Sequence, residues 1–161
     1  MERSHGSKIL PEVVSLISRI NSLETIQEVD SAFYDVFRSV AERLEETRLD
    51  RHLSLVAGVD GIIEREYSNP NLSLDMIADA LLLSPSYAGR LYKKQTSRSV
   101  AEAINEKRLK VAAALLLEKR ISIQRISDEV GISNSAYFFT LFKRAYGLTP
   151  NEYRRQKIGS V

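Results

Sequence analysis

Residues 132–146 read ISNSAYFFTLFKRAY. Small polar residues come first, the aromatics Tyr137, Phe138, Phe139 and Phe142 follow, and a basic pair stands at Lys143 and Arg144. On a helix, Tyr137, Phe138, Leu141, Phe142 and Ala145 fall on one stripe at the i, i+3, i+4 spacing, which predicts a buried face. The opposite face carries Ser135, Ala136, Phe139, Thr140 and Lys143. Phe139 is the aromatic that the buried stripe does not absorb; it is expected to point outward, or, with the helix rotated, to lie against a neighbouring helix.

The residues just upstream complete a unit. The stretch ISIQRISDEVGISNSAYFFTLFKR starts at Ile121, and LSLDMIADALLLSPSYAGRLYKK starts at Leu72. Ser73 matches Ser122, Ile77 matches Ile126, Asp79 matches Asp128 and Ser84 matches Ser133. One inserted residue later, Tyr87 matches Tyr137, Leu91 matches Leu141, and Lys93-Lys94 match Lys143-Arg144. Each copy predicts a short helix, a tight turn and a second helix, the helix-turn-helix plan. Ser73, Ser84, Ser122 and Ser133 are the expected N-caps, with Pro85 at a first helical position. Gly131 supplies the positive φ that a sharp turn needs. Leu82 stands at that place in the first copy, so its turn is expected to be built differently or to carry strain.

Between the copies, Ser99 and Glu102 have the capping-box spacing and open a helix predicted to reach about Leu117. Its residues Val100, Ala103, Ile104, Val111, Ala112, Leu115 and Leu116 are expected to complete two small cores. Ile77, Leu81, Leu83 and Leu91 form one; Ile126, Val130, Ile132, Leu141 and Phe142 form the other. Gly147 reads as a left-handed helix end. Thr149 and Glu152 repeat the capping box ahead of a short last helix. The predicted fold is therefore all-α: two helix-turn-helix subdomains, about 72–94 and 121–146, joined by a long bridging helix, with an N-terminal helical extension.

Composition excludes several classes of function. The chain of 161 residues has no cysteine and two histidines, so thiolate metal sites and disulfides are absent and a histidine-built site is disfavoured. A reducing cytoplasm suits such a chain, and no apolar run approaches the ~18 residues of a membrane span. No converging acid–base or nucleophilic groups mark an enzyme, and no cofactor motif is present. The net charge of +2 is unevenly spread. Residues 1–56 carry seven Lys/Arg against ten Asp/Glu, and residues 57–161 carry sixteen against eleven.

A second helix with small polar residues at its start and cations at its end suits a DNA major groove. Arg90 has the fork to take a guanine edge with two hydrogen bonds, and Lys93 and Lys94 have the reach for phosphate. The candidate DNA-contacting set is Ser84, Ser86, Gly89, Arg90, Lys93 and Lys94 in the first copy. In the second it is Ser133, Ser135, Ala136, Phe139, Thr140, Lys143 and Arg144. A helical protein-interaction adaptor, with the helix-turn-helix units as scaffold only, is the competing reading; steep salt dependence would separate the two.

From about Val59 to Gln156 the sequence resembles the AraC/XylS family of bacterial transcription regulators. The resemblance rests on NLSLDMIADALLLSPSYAGRLYKK, INEKRLKVAAALL and ISIQRISDEVGISNSAYFFTLFKRAYGLTPNEYRR, with Gly147, Pro150 and Tyr153 in the family's order. It implies seven helices, with each second helix entering a major groove on the same face of double-stranded DNA. It also implies neither cofactor nor catalytic residue, and, for activators, contact with RNA polymerase. The family usually has Gly where Ser97 stands and larger aromatics where Val100 and Ala103 stand.

Residues 1–56 fall largely outside the resemblance and read as a helical extension, linker or dimerisation segment preceding a DNA-binding domain over 57–161. A helix is predicted from Pro11 through Ile20, then a break at Asn21-Ser22, then a helix carrying Ile26, Val29, Phe33, Phe37, Val40 and Leu44. Its mixed three and four spacing fits a coiled-coil seam or a bundle face. A homodimer through residues 9–49 and packing onto the chain's own DNA-binding domain are both open. The segment is too short for a sugar-binding barrel or a phospho-acceptor domain, so the chain is expected to be the C-terminal part of a larger regulator.

Overall fold

The computed structural model describes Val14, Ile17, Ser18 and residues 25–118 and 121–158. Every regular element among them is a helix: α1 Ile26–Glu66, α2 Leu74–Ala80, α3 Pro85–Thr96, α4 Val100–Glu118, α5 Ile123–Glu129, α6 Ser135–Tyr146 and α7 Pro150–Ile158. None is long and apolar enough to cross a membrane. The helix expected from Pro11 and the break at Asn21-Ser22 lie outside the described residues, apart from Val14, Ile17 and Ser18.

Helix α1 opens on a capping box that the sequence reading passed over. Thr25 N donates to Glu28 Oε2 at 3.0 Å, and Glu28 N donates to Thr25 Oγ1 at 3.3 Å. The helix then runs for 41 residues, well beyond Leu44. No proline interrupts it, and its glycines Gly58 and Gly61 cost only about 1 kcal/mol each in a helix. Gly58 also has a packing reason: a Cβ there would lie 3.0 Å from Leu81 Cδ2.

The chain divides into two units, Met1–Arg51 and His52–Val161. Within the first, Ala32 is buried and Val29, Val36 and Val40 are half-buried. Ile26, Phe33, Phe37 and Leu44 are exposed, Phe37 by 80%.

The second unit holds two cores. In the first, Leu55, Val59, Ile62 and Ile63 of α1 pack with Leu72, Ile77, Leu91, Tyr92, Val100, Ala103 and Ile104. In the second, Leu109, Ala112, Ala113 and Leu116 pack with Ile126, Val130, Ile132, Phe138 and Phe142. Helix α4 therefore completes both cores, its first half serving one and its second half the other. Leu81 and Leu83 sit at the margin of the first core, and Val111, Leu115 and Leu141 at the margin of the second. Burying each large side chain contributes roughly 1.5–3 kcal/mol, and neither set is big enough to spare the helix that joins them.

Arginines reinforce the junctions. Arg154 of α7 donates from Nε to Leu116 O at 3.2 Å and from Nη2 to Ile121 O at 2.8 Å, so it satisfies a carbonyl of the last turn of α4. In the first core the phenol of Tyr92 donates to Asp60 Oδ1 at 2.6 Å. Burial first, and that carboxylate second, push the phenol up to about 12.

Three expectations are resolved. First, of the two outcomes expected at Leu82, strain forms and a different turn does not: its φ of 57° lies in the same left-handed region as the 78° of Gly131. The hydrogen bonds also correspond, Leu83 N to Ala78 O and Ile132 N to Ser127 O, both at 2.9 Å. Second, the N-cap of α6 is Asn134, not Ser133. Asn134 Oδ1 accepts from Tyr137 N at 3.0 Å, as Ser84 Oγ accepts from Tyr87 N at 3.3 Å. The inserted residue of the second copy is thus Ser133, in the turn, and Ser84 corresponds to Asn134. Third, the buried stripe of α6 is narrower than its periodicity implied. Phe138 and Phe142 are buried, whereas Tyr137 and Ala145 are exposed.

Candidate nucleic-acid interface

Helix α3 is oriented by Ala88, Leu91 and Tyr92, which are buried. That leaves Ser86, Arg90, Lys93 and Lys94 exposed, with Ser84 exposed at the cap. Among the described residues Arg90 has no ion-pair partner, and it is exposed. Gly89 is half-buried, and a Cβ there would meet Leu74 Cδ2 at 2.9 Å. The missing side chain thus admits α2 against α3, a role within the protein that sequence reasoning did not see.

Helix α6 is oriented by Phe138 and Phe142. An aromatic cluster anchors its far end, with Phe142 at 4.6 Å from Tyr146 and 5.4 Å from Tyr153 between ring centroids. Ser133, Ala136, Thr140, Lys143 and Arg144 are exposed. Ser135 is half-buried, and its hydroxyl donates to Gln124 Oε1, tying the start of α6 to α5. Thr140 Oγ1 turns back onto Ala136 O at 3.0 Å. Phe139 is half-buried; it packs on the second core and meets Phe138 edge-on at 6.3 Å. Its ring is thus shared between core and surface, because Phe138 and Phe142 set the rotation of the helix.

Lys93 and Lys94 occupy the last turn of α3, and Lys143 and Arg144 the last turn of α6. Cations there complement the negative end of a helix dipole. Tyr137 lies beside α4, and its hydroxyl accepts from Asn105 Nδ2 at 3.3 Å. Asn134, Gln124 and Asn105 are the members of this region that the sequence reading missed. Asn134 alone carried a local signal, a cap-forming residue three positions before Tyr137. Two solvent-facing helix surfaces, each small and polar and each ending in a basic pair, thus recur on one two-core unit.

This arrangement defines a paired helix-turn-helix domain, and comparison with known proteins agrees. A family model described as a helix-turn-helix domain matches residues 77–156. The transcriptional regulatory protein YesN of Bacillus subtilis is 37% identical over 102 residues, 62% of this chain and 28% of that protein. The Msm operon regulatory protein of Streptococcus mutans is 29% identical over 158 residues, covering 94% of this chain and 56% of that protein. The C-terminal domain of AraT, a response regulator from Geobacillus stearothermophilus, superposes with a TM-score of 0.62 at 34% identity, covering 63% of this chain and 84% of that one. The chain belongs to the AraC-type family of DNA-binding transcription regulators. It spans 28% and 56% of the lengths of the YesN and Msm regulators.

Proposed function

We propose that this chain is the DNA-reading part of a longer transcription regulator, and that α3 and α6 enter successive major grooves on one face of a duplex. The observation that carries this reading is the repetition itself. The same capped helix, with an exposed polar face and a basic last turn, occurs twice, and one helix completes both cores. Arg90 reads a guanine through two hydrogen bonds. Lys93, Lys94, Lys143 and Arg144 neutralise phosphates. Ser84, Ser86, Ser133, Ser135, Ala136 and Thr140 allow close approach, Gly89 serves instead to seat α3 on α2, and the exposed part of Phe139 meets thymine methyl groups. The work is done in the bacterial cytoplasm, where an activating role would add contact with RNA polymerase.

Selection from random duplex DNA, followed by footprinting, tests this. Two protected half-sites one helical turn apart, about 34 Å, are expected. Affinity should fall steeply with salt. Arg90→Ala should lose roughly 1–3 kcal/mol of discrimination at one base pair and leave the others unchanged. A single protected groove would overturn the two-groove reading, and salt-independent binding would overturn the phosphate contacts.

The exposed Ile26, Phe33, Phe37 and Leu44 support a second element of the proposal. The unit Met1–Arg51, through residues 9–49, joins two copies of the chain.

A further inference from the structure

Arg108 lies midway along α4 and is 8% exposed, although it carries a permanent charge. A buried cation is costly unless its donors are satisfied. No ion pair satisfies this one among the described residues; backbone carbonyls do. Its Nε donates to Tyr67 O at 2.8 Å and its Nη2 to Asn69 O at 2.7 Å. Both carbonyls belong to the turn that follows α1 and leads to Leu72, a member of the first core. The neighbour of Arg108, Leu109, belongs to the second core.

The same turn is met from another direction. Gly131, the left-handed residue between α5 and α6, is buried against it. A Cβ on Gly131 would stand 2.7 Å from Ser68 O and 2.9 Å from Tyr67 O. The turn of the second helix-turn-helix therefore rests on backbone of the first subdomain, with room for a hydrogen and nothing larger. Lys107 adds an ion pair to Glu64 and places its ammonium 5.4 Å from the Tyr67 ring centroid. Residues 67–69 are held between the bridging helix on one side and the second turn on the other.

We propose that Arg108 and Gly131 are positioning residues that lock the two reading helices at one relative orientation, and so make the protein selective for the spacing between its DNA half-sites. The proposal rests on the two-groove reading. Without this clamp, two small cores would share only a helix and a few surface contacts, and α6 would pivot relative to α3. With it, the second half-site is engaged by a preorganised partner, and ordering costs at binding are cut. Neither residue faces the proposed DNA surface, so each acts through geometry and leaves base preference untouched.

The test uses the full chain and the site selected by the wild type, with one or two base pairs inserted or deleted between the halves. Each inserted pair shifts the second half by about 3.4 Å and turns it by about 35°. The wild type is expected to lose about tenfold or more in affinity per change of one pair, because the duplex must deform to compensate. Arg108→Met and Gly131→Ala should lose less than about threefold relative to their own best spacing and keep the same base preferences in each half. Arg108→Lys, with a single donor group, should fall between. A spacing ratio taken within one variant is unmoved by a uniform loss of folded protein.

Because the chain has no cysteine, Gln95→Cys and Ala145→Cys admit a pair of spin labels on α3 and α6. Their distance distribution should be narrow in the wild type and broad or displaced in the variants. If Arg108→Met does not fold, the same two measurements on Arg108→Lys and Gly131→Ala decide. A wild type indifferent to spacing would remove the two-groove reading itself. A spacing-sensitive wild type whose folded variants keep both its spacing profile and its label distance would overturn the clamp alone.

Discussion

Leu82 is a β-carbon-bearing residue at φ 57° and is 94% exposed. The left-handed region costs such a residue roughly 1–2 kcal/mol, and here no packing offsets it. Leu82→Gly should raise stability by about 0.5–1 kcal/mol, the larger unfolded-state entropy of glycine taking back part of the gain. Thermal or urea unfolding reads this directly; a destabilised variant would mean that the leucine makes contacts in the folded state. Phe139 presents the opposite balance. Half its work is packing on the second core, so Phe139→Ala should cost about 2 kcal/mol, less than the ~3–5 of a fully buried phenylalanine. If its exposed part also meets thymine methyls, the variant loses affinity for thymine-containing sites beyond that stability cost. Binding measured well below the unfolding temperature separates the two effects.

At the scale of elements, helix ends were the most legible feature of the sequence. Caps at Ser73, Ser84 and Ser122 and boxes at Ser99/Glu102 and Thr149/Glu152 all form, because the groups involved lie within three residues of one another. The error at Asn134 arose where two cap-forming residues stand side by side and the backbone path of the turn chooses between them. Helix rotation was less legible. Periodicity gave Tyr137 and Phe138 equal claims to the core, and packing against α4 and α7 resolved them. The tie from Arg108 to Tyr67 and Asn69 left no local trace at all, since its partners are remote in sequence. The boxes make a prediction of their own. The backbone N–H of Ser99, then its hydroxyl, hold the Glu102 carboxyl below the usual carboxylate range, and Thr149 does the same for Glu152. A carboxylate depressed in the folded state stabilises above its unfolded pKa of about 4.3 and loses that contribution as pH falls through the lower folded value. Urea midpoints of the wild type should therefore drop on acidification below about pH 4.5. Glu102→Gln/Glu152→Gln should be less stable at neutral pH and show a flatter acid limb.

For the whole molecule, the two units carry different expectations. The unit His52–Val161 contains both cores, and Leu55, Val59, Ile62 and Ile63 stay with it when the chain is cut at residue 51. That fragment should fold and unfold within a few degrees of the intact chain, a shift of under about 1 kcal/mol. It should also keep the base and spacing preferences of the intact protein while losing self-association. Sedimentation of the two species checks the last point: a dimer for the intact chain and a monomer for the fragment are expected. Monomeric masses for both would assign the apolar residues Ile26, Phe33, Phe37 and Leu44 some other role.

The contrast between the two turns bears on how the protein tolerates change. At Gly131 any side chain collides with the backbone of residues 67 and 68, whereas at position 82 the surroundings are open solvent. In a saturation library scored for DNA binding, position 82 should therefore accept nearly every residue, with glycine, asparagine and aspartate enriched. Position 131 should favour glycine strongly, with alanine the best tolerated replacement and every larger side chain depleted. The two halves of one duplicated plan would then diverge at unequal rates, the first turn free to drift and the second held in place by a neighbour that is main chain and cannot be mutated away.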